Sequence, residues 1–226
     1  MHPLDVAGRG VEAASATRPR LRGRVHQLAF FGALPLGVGL ALVPETARGR
    51  VAAIVFAASV AAMFGASALY HRIMWSPGAR RWMRRVDHAG IYVLIAGTYT
   101  PFGLLVLRDE WQVVVLTIVW SGTAAGILLR FCWSTAPKWL SVVVAVALGW
   151  VGVVVFPQLV SRLGLSPSLL VLAGGLCYTA GGLVYALRRP RLAPTAFGYH
   201  ELFHVLVVAA VALQYAAVAF FVLPRH

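Results

Sequence analysis

Few ionisable side chains lie inside the apolar runs of this 226-residue chain or at their edges, and three groups stand out. Ser67 and His71 close one run, in Ser-Ala-Leu-Tyr-His. Asp87 and His88 open another, in Arg-Arg-Val-Asp-His-Ala-Gly-Ile-Tyr, and His200, Glu201 and His204 open the last, in His-Glu-Leu-Phe-His. An ionisable group inside a membrane helix costs about 2.5–3.5 kcal/mol on insertion scales, so such residues are read as functional first. Residues four apart share a helix face, which lets His200 and His204 hold one ion together and sets Ser67 beneath His71. Imidazole suits zinc, and three protein ligands plus a water make its open, catalytic arrangement. Zinc lowers the pKa of that water to about 7, and a carboxylate such as Asp87 can hold or deprotonate it.

Other readings of the same residues stay open. Asp87 can pair with Arg84 instead, and a histidine at a helix end can be a simple interfacial group. His88 lies about 100° round a helix from Asp87. It is read, with Glu201, as supporting the ligands without touching the ion. His2, His26 and His226 read as incidental. His-Glu-Leu-Phe-His also matches the HExxH pattern of zinc peptidases, with Glu201 as base. No Asp or Glu follows Glu201 to complete such a site, so a third ligand must come from earlier in the chain, and His71 is the candidate.

Positioning these groups falls to long apolar segments. Runs of spanning length, about 17–25 residues, occur at 25–43, 51–72, 88–107, 112–131, 139–157, 167–187 and 199–223. They predict an all-α, polytopic bundle of seven transmembrane helices, with residues 1–24 as a tail and 25–226 as one membrane domain. The first run is longer than a signal-peptide core and is read as a retained helix. Breakers mark the connections, among them Pro44, Ser76-Pro77-Gly78, Pro137, Ser166-Pro167, Pro190 and Pro194. Fifteen of the twenty Lys and Arg residues fall on the side of the tail, including Arg22 and Arg130, and five on the other. By the positive-inside rule the N-terminus is cytoplasmic and the C-terminus outside. The end of the second span and the starts of the third and seventh then share one depth near the inner face.

Composition supports this class. Hydrophobic residues make up 60% and charged residues 12%, half the roughly 25% of soluble domains, and mean hydropathy is +0.79. Such a chain is not a soluble enzyme, a disordered segment or a disulfide scaffold. The net charge of +13 comes in small groups between apolar runs, which argues against a nucleic-acid partner and for the lipid bilayer. Cys132 and Cys177, without CxxC spacing, read as buried thiols. Nineteen arginines to one lysine, with heavy Ala, Val and Gly, suggest a GC-rich bacterial genome and the plasma (inner) membrane.

Taken together, Ser67-x-x-x-His71, Arg84-x-x-Asp87-His88-x-x-Ile91-Tyr92 leading into Ala96-Gly97-Thr98-Tyr99-Thr100-Pro101, and His200-Glu201-x-Phe203-His204 resemble the hemolysin III family. This is the bacterial branch of the progestin and adipoQ receptor proteins, similar in turn to alkaline ceramidases. The resemblance runs from about residue 22 to the end. It implies a seven-helix bundle with zinc near the cytoplasmic face, held by His71, His200 and His204, with Asp87 contacting the metal through water and Ser67 close by. It also implies two functions to weigh. One is zinc-dependent hydrolysis of a lipid amide or ester, with Asp87 as base and Ser67 as donor to the oxyanion. The other is a non-enzymatic membrane-stress sensor, receptor or cytolytic pore with structural zinc.

Overall fold

Long apolar runs have one way to satisfy their backbone in a membrane without closing a barrel, and that is the helix. The computed structural model describes residues 21–133, 137–190, 192–193 and 196–226. His2, Arg9, Arg18, Arg20, Arg191 and Pro194 lie outside the described residues. Among the described residues eight α-helices follow one another: α1 (Arg24–Leu42), α2 (Ala47–Arg72), α3 (Pro77–Leu105), α4 (Glu110–Cys132), α5 (Lys138–Trp150), α6 (Phe156–Leu163), α7 (Leu165–Leu187) and α8 (Tyr199–Ala217). Past α8 the chain continues as a π turn, Val218–Val222, and a 3-10 turn, Leu223–Arg225. Extended structure among the described residues is limited to one bridge, Ala193 with Phe197.

Five of these helices are long and apolar enough to cross a membrane, and the bent pair α5–α6 makes a sixth. The expected third span falls short of that measure. Its helix, α3, starts eleven residues earlier than expected, capped by Ser76, whose Oγ accepts from Ala79 N, with Pro77 in the first turn. The added turns carry Arg80, Arg81, Arg84 and Arg85, while its apolar half is interrupted by Thr98, Tyr99, Thr100 and Pro101. α3 is nonetheless deeply buried in the bundle, with Tyr92, Leu94, Ala96 and Phe102 nearly inaccessible.

The expected fifth span is broken. α5 runs on through a 3-10 turn, Val151–Val153, and then meets α6 at a 48° bend. Tyr99 holds that bend: its hydroxyl donates to Gly149 O at 2.6 Å and accepts from Gly152 N at 2.7 Å, satisfying backbone groups that the break frees. The connection expected at Ser166-Pro167 falls instead within the first turn of α7, and Gly164, at φ 93°, makes the break.

The most extensive packing is α2 on α3, followed by α7 on α8, α1 on α2 and α3 on α4, and α1 also touches α8. α2 and α3 approach closely because Gly97 faces Ser59; a Cβ there would lie 1.9 Å from Ser59 Oγ. Outward, large apolar side chains stay exposed, among them Leu28, Phe31, Val113, Leu128 and Phe220. Water would not tolerate so wide an apolar surface, and lipid does. Cys132 is exposed and Cys177 half-buried, both free, so neither is the buried thiol the sequence suggests.

Candidate metal centre

The last two turns of α2 carry Ser67 and His71, the N-terminal half of α3 carries Asp87, and the first turns of α8 carry His200 and His204. Packing brings them together. One nitrogen each from His71, His200 and His204 can be chosen so that all lie within 4.8 Å of one another. His71 Nε2 and His200 Nε2 are 3.2 Å apart. Two ligands about 2.0–2.1 Å from a tetrahedral zinc stand roughly 3.3 Å apart, so the spacing and the all-imidazole donor set fit that ion. His204 is buried, and Asp87 Oδ2 lies 3.8 Å from His71 Nε2. Among the described residues the ion pairs of Asp87 include His71 and not Arg84, which removes the pairing left open by the sequence.

His26 is a correction. Read as incidental, it is 2% exposed in α1 and shares a 2.8 Å hydrogen bond, through Nδ1, with Ser67 Oγ. Its ring stacks on that of His204 with centroids 3.8 Å apart and planes 3° from parallel. The bond to Ser67 spans 41 residues, so no local spacing announces it. The signal that could have found it is the rule applied to the other histidines, an ionisable side chain inside an apolar run. Gly23 makes the approach feasible. It sits at φ 78°, a left-handed conformation that favours glycine, and a Cβ there would lie 2.6 Å from His71 Cβ.

Glu201 faces away from the cluster's chemistry. Its carboxylate accepts from Arg22 Nε on one oxygen and from Gly198 N, at 2.8 Å, on the other. It therefore caps α8 and ties the segment before α1 to it, and the peptidase role for this residue loses its geometry. Arg22 is correspondingly a structural partner and not a topology signal alone. His88 meets Arg130, and Arg130, counted above among the loop charges, is in fact 4% exposed within α4.

A cavity of about 220 Å³ opens beside the cluster. Asp87, Ser67 and His200 line one end, and its walls continue past Ile95, Phe102 and Leu159. Along α8 it runs from His200 to Gln214, about 21 Å at 1.5 Å per residue. Its lining is overwhelmingly apolar, a shape for a chain-like ligand with its polar end at the histidines.

A family model described as Haemolysin-III related matches residues 14–215. The chain belongs to the hemolysin III family. Among its curated relatives, Hemolysin-3 of Bacillus cereus is 31% identical over 179 residues, covering 79% of this chain and 78% of the relative. The Hemolysin-3 homolog of Bacillus subtilis (strain 168) is 29% identical over 167 residues, covering 74% and 75% respectively. The range matched to the hemolysin III model contains the whole cluster, His26 included, and the relatives place this multi-pass membrane protein in bacterial company.

Proposed function

We propose that this hemolysin III protein is a zinc-dependent hydrolase of lipid amide or ester bonds in the bacterial plasma membrane. The observation that carries the reading is the meeting of three imidazoles, Asp87 and Ser67 at the polar end of a long apolar cavity. His71, His200 and His204 would hold the ion. When bound, zinc supplies Lewis-acid polarisation of a carbonyl and a water acidified to a pKa of about 7.

The chain's own groups account for the rest. Asp87, 3.8 Å from His71 Nε2, would take a proton from the attacking water and return it to the leaving group. Ser67 is a hydrogen-bond donor for the developing oxyanion, provided its oxygen accepts from elsewhere. His26 meets that condition when its Nδ1 carries the proton and donates to Ser67 Oγ; the serine hydroxyl, which also bonds the Asp87 carboxylate, would turn its proton from Asp87 to the substrate. His26 is thus a positioning residue, acting through Ser67 and through its stack on His204. The apolar cavity aligns an acyl chain and keeps bulk water from the carbonyl.

Elemental analysis of the purified protein tests this, with about one zinc per chain expected and none in the H71A/H200A/H204A variant. Asp87→Asn should keep the metal and lose roughly 10²–10⁴ in turnover of labelled lipids, the usual worth of a general base. Stoichiometric zinc with no lipid turnover, and unchanged cellular lipids in the Asp87→Asn strain, defeats the hydrolase reading.

A second reading takes its support from the relatives' printed name, Hemolysin-3. Here the metal is structural, tying α2 to α8, and the protein is a pore, sensor or receptor. Dye leakage from proteoliposomes that depends on the protein, without lipid turnover, favours it.

A further inference from the structure

Arg130 stands in the last turn of α4, 4% exposed. A guanidinium keeps its proton in proteins, so the bundle encloses a full positive charge. One Nη donates to Ser141 Oγ at 3.0 Å and the other meets His88 Nδ1. Nε is buried with no hydrogen-bond partner among the described residues. Neither ion pair found among those residues involves Arg130: Glu201 pairs with Arg22, and Asp87 faces His71. Neither contact brings a negative charge, and a buried cation is ordinarily tolerated only beside an anion.

Arg130 and Ser141 line the same cavity as His200 and His204, together with Tyr92 and Tyr185. His88, which Arg130 meets, is the residue next to Asp87, so the two polar corners lie one residue apart along α3. From there the walls are apolar.

We propose that Arg130 and Ser141 form a binding site for the phosphate of a membrane phospholipid whose acyl chain occupies the cavity. The planar fork of arginine matches phosphate oxygens and supplies the charge complement that the enclosed cation lacks. A phospholipid carries its ester carbonyls a few bonds from the phosphate, so one molecule can set phosphate at Arg130, carbonyl toward Ser67 and Asp87, and chain into the cavity. A free fatty acid has a single polar group and serves only one corner. Inorganic phosphate uses none of the apolar wall. The binding assignment stands on Arg130 and does not require the metal to be catalytic.

The test uses full-length protein in non-ionic detergent and reads binding by thermal shift and native mass spectrometry. The probes are dioctanoyl phosphatidylglycerol, dioctanoylglycerol, octanoate and inorganic phosphate. The phospholipid is expected to bind wild type roughly tenfold or more tightly than the glycerolipid lacking phosphate. R130Q should lose that preference and R130K keep part of it. Should R130Q fail to fold, S141A, which removes one neutral partner of Arg130, is expected to weaken phospholipid binding severalfold and leave the glycerolipid unaffected. Equal binding of the two lipids by wild type, or a full preference retained in R130Q, overturns the proposal. Equal binding of inorganic phosphate or octanoate overturns its assignment to a phospholipid. Chelator-treated protein should keep the preference, and loss of it there would move the site from Arg130 to the metal. Zinc content measured on the same samples judges the hydrolase reading separately.

Discussion

Two residues near the cluster look interchangeable by position and differ in what they touch. Glu201 follows His200 directly, yet both its oxygens are engaged, by Arg22 and by the amide of Gly198, which caps α8. His26 has no motif to advertise it, yet it contacts Ser67 and the ring of His204. The two should therefore fail differently. Glu201→Gln keeps a capping oxygen and breaks an ion pair, so it is expected to lower stability by about 1–3 kcal/mol while zinc content and turnover per folded molecule hold. His26→Phe keeps a ring to stack on His204 and removes the partner of Ser67, so zinc is expected to stay while turnover falls. Melting temperature, metal content and single-turnover rate on the same samples separate them. A Glu201→Gln protein that folds at wild-type stability and is inactive would restore the peptidase-like base.

At the scale of elements, the helices were legible because apolar runs of spanning length have few other fates, and their contents followed from spacing. Two features were not. Tyr99 reaches 50 residues forward to hold the α5–α6 bend, a contact that a run of Val, Ala and Leu around Gly149 and Gly152 does not disclose. Arg130 looks like the end of a span followed by a loop, and only packing shows the helix carrying it inward against His88. The cluster itself was readable because three helix ends share a depth; His26 was missed because its partners lie far off in sequence. Close helix approach is the condition for that convergence. Gly97→Leu places a side chain where Ser59 stands, since even its Cβ would lie 1.9 Å from Ser59 Oγ. Separating α2 from α3 should cost about 1–3 kcal/mol and loosen the metal, because His71 rides on α2 and Asp87 on α3. Thermal unfolding with and without added zinc checks both, and an unchanged melting temperature would mean that the two helices do not need this contact.

For the whole molecule the open matter is which way it faces. The cationic count assumed that every arginine near a helix end reports topology, and the packing reassigns two of them: Arg22 pairs with Glu201, and Arg130 is enclosed. Removing both still leaves thirteen basic residues against five, because the clusters at Arg80–Arg85 and Arg188–Arg191 do not depend on them. The bias therefore survives, and with the bent pair counted once and α3 counted as crossing, seven passes put the two termini on opposite faces. On that count the histidine cluster would lie at the cytoplasmic level, among the phospholipid headgroups of the inner leaflet. Reporter fusions decide this: a phosphatase moiety, active only outside, should be active after His226 and inactive before Arg24, with a fluorescent protein that matures only inside giving the reverse. Activity of both reporters on one face would make the number of passes even and would take α3 or the α5–α6 pair out of the membrane. Reversed activities would keep seven passes and move the cluster, with any hydrolysis it performs, to the outer leaflet.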